Sequence, residues 1–187
     1  MLGVANPNDY KVAPEGSRKY FIGQYTYTPN EKFKGFINYF SGQRPSDSAK
    51  VSQLEGMFTL KLSSKFNLAY CGSIAFNKYK IPSGKYGSSQ NWWGSGLYFN
   101  YDPTSLFGLT LRTEYFNDEK QQNVFAAIPG GGHVFENTLS ANFRIDNNLV
   151  FIPEIRFENA TKEIYTKSDG TPTKSNGNFL IAAVYHF

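Results

Sequence analysis

The chain has 187 residues, of which 17% are aromatic and 18% charged, with 19 basic against 15 acidic side chains for a formal net charge of +4. A single cysteine, Cys71, excludes a disulfide framework within the chain. The basic residues are too scattered for a nucleic-acid patch, and no run of about 18 apolar residues exists to form a transmembrane helix. Many aromatics and few charges are the composition expected when every strand turns one face to lipid and the other to water.

Residues 1–17 read as the tail of an exterior loop, with Pro7-Asn8-Asp9 and Pro14-Glu15-Gly16 as loop signals. No signal peptide opens the chain at Met1, so an upstream segment is expected. From 18 to 187 the pattern is strand, short polar turn, strand, longer polar loop. Strands near 19–28, 33–42, 51–62 and 92–101 alternate imperfectly. Those at 66–77, 107–116, 135–144 and 149–158 alternate cleanly, with Phe66, Leu68, Tyr70, Ile74 and Phe76 on one face of the first and Asn67, Cys71, Ser73 and Asn77 on the other. Pro153 lacks a ladder donor, which predicts a local irregularity in the last of these. The short turns fall at 28–32, 63–65, 102–105 and 146–148, and the longer segments at 42–49, 78–90, 117–132 and 160–176. This asymmetry is that of an outer-membrane barrel, short turns toward the periplasm and long loops outward. Aromatic residues gather beside each short turn, where amphipathic rings would sit at the headgroup level.

The final strand, 178–187, places Phe179, Ile181, Ala183, Tyr185 and Phe187 on one face. Its length of about ten residues suits a tilted bilayer crossing. The ending resembles the C-terminal signal of bacterial outer-membrane barrels, which implies that Phe179, Ile181, Tyr185 and Phe187 are read by the outer-membrane insertion machinery. About nine strands result, an odd number where single-chain bacterial barrels have an even one. The expectation is therefore an all-β, transmembrane, antiparallel up-and-down barrel of which this chain is the C-terminal part.

Trp92-Trp93-Gly94-Ser95-Gly96-Leu97-Tyr98, the segment Gly108-Leu109-Thr110-Leu111-Arg112-Thr113-Glu114-Tyr115-Phe116-Asn117-Asp118, Pro153-Glu154-Ile155-Arg156-Phe157 and the C-terminal strand together resemble the OmpL-like outer-membrane β-barrel porins of Gram-negative bacteria. The resemblance covers most of 18–187. It implies residence in the outer membrane, contact with the lipid bilayer, and passive passage of small solutes or ions without cofactor or metal. Members of that family are longer and carry a signal peptide, in agreement with the odd strand count.

Seven charged residues share the face opposite the apolar one: Arg112, Glu114, Glu136, Arg144, Glu154, Arg156 and Glu158. A charge on the lipid face at mid-membrane costs roughly 2–4 kcal/mol for Arg or Lys, so these side chains are expected to line the pore. They would form a ladder of opposite charges or bias which solutes pass. Enzyme chemistry has little to build on. His133 lies in a glycine-rich stretch and His186 near the C-terminus, neither beside a nucleophile motif. Pro129-Gly130-Gly131-Gly132 lacks the lysine of a phosphate loop, no Cys/His cluster suggests zinc, and Asp169-Gly170 is too slight for calcium. The reading is a porin-like channel. Its rival is a barrel with a blocked lumen that anchors a partner or presents its loops, and a soluble lipocalin-like barrel would instead turn the apolar faces inward.

Overall fold

The computed structural model describes residues 1–7, 11–12, 18–145 and 148–185. Ten strands form one antiparallel sheet in the order β1 (Leu2–Ala5), β2 (Tyr20–Asn30), β3 (Phe33–Gln43), β4 (Lys50–Lys61), β5 (Phe66–Lys78), β6 (Gln90–Tyr101), β7 (Phe107–Asn117), β8 (His133–Arg144), β9 (Leu149–Ala160) and β12 (Ser175–Tyr185). A separate two-stranded hairpin, β10 (Tyr165–Thr166) with β11 (Pro172–Thr173), lies within the connection between β9 and β12. The nine long strands are the nine expected. Four residues of the expected loop tail behave differently, since Leu2–Ala5 pairs with Gly23 to Tyr20 of β2 as a short edge strand. Four residues are too few to show an alternation, and only the ladder to β2 makes them a strand.

Side chains serve the tight ends. The Asn30 side-chain oxygen accepts from the N–H groups of Lys32 and Phe33 at 2.9 and 3.0 Å, and the Ser63 hydroxyl accepts from Lys65 and Phe66 at 3.2 and 3.0 Å. These local bonds close the turns without calling on the sheet. At the third turn the Thr104 hydroxyl accepts from Phe107 N–H at 3.0 Å. In the fourth, Asp146 and Asn147 lie outside the described residues. Pro153 does interrupt its ladder. Pairing of β8 with β9 stops at Ser140–Glu154 and resumes at Phe143–Phe151 in unchanged register, whereas on its other side Pro153 pairs with Ile181 without a break.

The β2–β3 ladder shifts register between Tyr27 and Asn30, but from β3 to β12 the registers are unshifted, and residues of like parity there form rows across the sheet. One row runs Phe33, Leu60, Leu68, Phe99, Leu111, Leu139, Ile155 and Phe179. The next row, on the opposite face, runs Lys61, Asn67, Asn100, Thr110, Ser140 and Glu154. The apolar row is not the inside of a core. Leu111 is 42% exposed, Leu139 47%, Ile155 41% and Phe179 67%, while among the described residues the buried hydrophobic ones are only Tyr20, Ala49, Ala75, Phe125 and Ala160. A contiguous apolar surface of this extent on a soluble protein would drive association, but it is what a sheet presents to lipid.

Aromatic rings mark the short-turn end of that face, with Tyr27, Phe33, Phe58 and Tyr70 in successive contact at centroid distances of 6.1–6.2 Å and Phe107 against Phe143 at 5.1 Å. At the other end Trp93, Tyr115 and His133 stack at 5.2 Å. His133 is thus the first residue of β8 rather than part of the glycine-rich loop.

The face assignment makes Leu111→Arg or Ile155→Arg destabilising by about 2–4 kcal/mol in a membrane, whereas Thr110→Arg adds charge to the polar face at little cost. Folded yield by heat-modifiable gel migration checks this, with the two apolar-face variants falling well below Thr110→Arg.

Candidate functional site

The polar face of β7, β8 and β9 carries a compact charged cluster. Glu114, Glu136 and Glu158 stand in one row, and Arg112, Thr138 and Arg156 in the row beside it. Three carboxylates in line would repel one another. The flanking arginines resolve the conflict by reaching diagonally. Arg112 places Nε 2.9 Å from Glu114 Oε2 and donates through Nη2 to Glu136 Oε1 at 2.9 Å. Arg156 brings Nε within 3.3 Å of Glu136 Oε1 and donates through Nη2 to Glu154 Oε1 at 3.2 Å.

Glu136 is therefore the shared member, held between two guanidiniums and also accepting from the Thr138 hydroxyl at 3.0 Å. Thr138 sits beneath the cluster at 1% exposure. Neutral donors add to this, Ser140 on the second oxygen of Glu154, Oε2, and the Asn176 amide on Glu158 Oε2, both at 2.8 Å. Four carboxylates face two guanidiniums, so the cluster is net acidic.

All seven charged residues singled out in the sequence lie on this one face, and six of them come together. Arg144 is the seventh, set apart at the short-turn end, where Nη2 donates to Asp102 Oδ1 at 2.8 Å. Of the four residues of the terminal signal, Phe179, Ile181 and Tyr185 are exposed on the apolar side of β12, and Phe187 lies outside the described residues, as does His186.

The polar face continues beyond what the sequence pattern suggested. Gln24 donates to Asn38, which donates to Glu55, both at 2.8 Å, and Gln53 donates to the Ser73 hydroxyl at 2.6 Å. Trp92 and Phe116 pack together on the same face with ring centroids 5.6 Å apart. Apolar side chains among the polar ones, rings on β2, β3 and β6 and Val51 and Met57 on β4, are what blurred the alternation of these strands.

The loop 118–132 closes over the end of this face. Asp118, wholly buried, accepts from the backbone N–H groups of Gln122, Asn123 and Phe125. Gly131, at φ 60°, approaches so closely that a Cβ there would lie 2.4 Å from the Asp118 carbonyl oxygen. The Gln122 side-chain oxygen in turn accepts from Asn77 on the polar face of β5 at 3.2 Å and from the Tyr79 hydroxyl at 2.8 Å. The loop is thus anchored to a strand two places away in the sheet. In the next connection, burial and the nearby carboxylates of Glu158 and Glu136 push the Tyr165 phenol up to about 12.

Removing the shared carboxylate leaves both arginines with one partner fewer. Glu136→Gln should therefore lower stability in detergent by about 1–2 kcal/mol, after allowance for partial exposure, and by more than Glu158→Gln, whose bond is to an amide. Thermal unfolding of the two variants side by side checks the order.

The family model described as "Putative beta-barrel porin-2, OmpL-like" matches residues 1–187. A solved structure of the NanC porin, in a rhombohedral crystal form, superposes with a TM-score of 0.60 over 90% of this chain and 79% of that one at 12% identity, which speaks to the fold. No curated protein matches the chain. With its antiparallel sheet, outward apolar rows and full-length family match, the chain belongs to the OmpL-like β-barrel porins, outer-membrane proteins that form channels for passive diffusion.

Proposed function

We propose that the polar face of the sheet lines the channel and that its acidic cluster gives the channel a preference for cations. The observation that carries this is the excess of Glu114, Glu136, Glu154 and Glu158 over Arg112 and Arg156 within one patch of the polar face, three of the carboxylates bridged by the arginines and Glu158 paired beside Glu136 in the ladder. Rings of carboxylates favour cations by field, and substitutions facing the lumen tune selectivity without placing charge in lipid. Arg112→Ala or Arg156→Ala should then shift the cation-to-anion permeability ratio further toward cations. Reversal potentials of the reconstituted protein under a salt gradient measure it, and a shift toward anions would refute the assignment.

A closed wall is part of the same proposal. Among the described residues β1 and β12 each have a ladder on one side only. In hydrocarbon an unpaired edge leaves backbone donors and acceptors unsatisfied at several kcal/mol each, so further strands are expected to complete the barrel. The rival, a blocked lumen, draws support from the loop 118–132, which is fastened to Asn77 across the end of the polar face. Single-channel conductance separates the two: steps of stable amplitude support the channel, and a silent bilayer holding folded protein supports the plug.

The exposure of Phe179, Ile181 and Tyr185 on the apolar face of β12 supports a role for the C-terminal signal, which the sequence extends to Phe187, in recognition by the insertion machinery. Deletion of Phe187 should lower the amount of folded protein in the membrane while leaving the conductance of the molecules that do insert unchanged. Normal accumulation of the deleted form would remove the signal reading.

A further inference from the structure

The apolar face is not uniformly apolar. At the end of the sheet that carries the long connections, a cavity of about 390 Å³ opens on β3, β4 and β5. Its charged lining is Arg18, Lys19, Lys50 and Lys78, and no carboxylate is among the described residues around it. Lys50 and Ser52 share parity with the exposed Leu54, which places them on the face that meets lipid.

The arrangement carries an electrostatic conflict. Lys50 and Lys78 are direct partners in the β4–β5 ladder, and like charges so placed repel. The contacts of Lys50 and Lys19 among the described residues are with neutral groups. Lys50 Nζ lies 4.4 Å from the Tyr86 ring centroid, and Lys19 donates to the neutral side-chain oxygen of Asn6. Ser41 and Ser52, paired across β3 and β4, add hydroxyl groups to the lining. Cations and hydroxyls with no carboxylate among the described residues of their lining form a receptor for an anion with several acceptor oxygens.

A second feature lies directly below, on β4, β5 and β6. Gly56 is paired with Gly72, the Tyr70 ring lies over Gly72 and the Phe58 ring against Gly56, and beside them a groove of about 370 Å³ is lined by Leu54, Ile74 and Trp93, with Ser95 at its β6 side. From Ser52 to Gly56 the strand runs about 14 Å, which at a tilt of roughly 45° carries it about 10 Å inward, from the headgroup level into the acyl region of a leaflet roughly 15 Å deep. A basic pocket at the headgroup level above an apolar groove at acyl depth matches the two halves of one lipid molecule.

We propose that the outward surface of β3, β4 and β5 is a specific site for an anionic, phosphate-bearing lipid. Its headgroup phosphate is held by Lys50 and Lys78 with Lys19 and Arg18, and one acyl chain lies in the groove between Leu54, Ile74 and Trp93. The bound phosphate also relieves the repulsion between the paired lysines, so the lipid steadies that part of the wall. The site lies on the face opposite the one proposed to line the channel.

Native mass spectrometry of the folded protein in detergent tests it, with phosphatidylglycerol, zwitterionic phosphatidylcholine and inorganic phosphate as probes. Phosphatidylglycerol is expected to bind at least about tenfold more tightly than phosphatidylcholine. K50Q/K78Q should weaken phosphatidylglycerol about thirtyfold, the equivalent of two headgroup-level charges, and leave phosphatidylcholine unaffected. The charge-keeping K50R/K78R should retain the preference, which preserves the test if the glutamine variant folds poorly. Equal binding of the two lipids, or unaltered phosphatidylglycerol binding by folded K50Q/K78Q, would overturn the site. Displacement of phosphatidylglycerol by equimolar inorganic phosphate would overturn the lipid as its occupant and leave a simple anion site.

Discussion

Everything in this molecule follows from the need to pair each backbone donor and acceptor with a neighbouring strand while one side of the sheet lies in hydrocarbon. Hydrogen bonds that water would otherwise make must come from the ladder. Unbroken pairing fixes the register, and register with a period of two fixes every side chain to one face. The row from Phe33 to Phe179 and the polar row from Lys61 to Glu154 are the same constraint seen from the two sides. A slip of one residue in any ladder would bring Arg112 or Arg156 into lipid and Leu111 or Ile155 into the polar cluster.

The charged cluster shows how the wall tolerates a local conflict. Glu114, Glu136 and Glu158 in line are an unfavourable row, yet the arginines of the adjoining row reach both along their own strand and across to the next. Each guanidinium thereby spans two carboxylates. Arginine's fork suits this task better than a lysine point charge. The loops at the same end add a second layer of order, since Asp118 caps three backbone donors and ties its connection back to the sheet through Gln122.

The faces of β5, β7, β8, β9 and β12 were legible in the sequence because their apolar and polar residues alternate with little interruption. In β3, β4 and β6 the polar face holds Phe36, Phe40, Met57, Trp92 and Tyr98, and a reader of periodicity meets apolar residues on both sides. Glycines on these strands make room for the rings, as where the Tyr20 ring lies over Gly42. The membership of the cluster was legible residue by residue, but not the central place of Glu136, which depends on which strand lies beside which. Nor does any local pattern announce the Asp118 cap, the short strand Leu2–Ala5 or the paired lysines, all of which arise from contacts between distant parts of the chain.

In the main sheet each strand is bonded to the strands that precede and follow it in sequence, with only the small β10–β11 hairpin intervening before β12. A strand, its turn and the returning strand are then a nearly self-sufficient unit. Such a wall can be enlarged or reduced by whole hairpins, without re-registering the ladders that remain. The bore of such a channel is adjustable in steps of two strands, and relatives of very different sequence can share this architecture while differing in width.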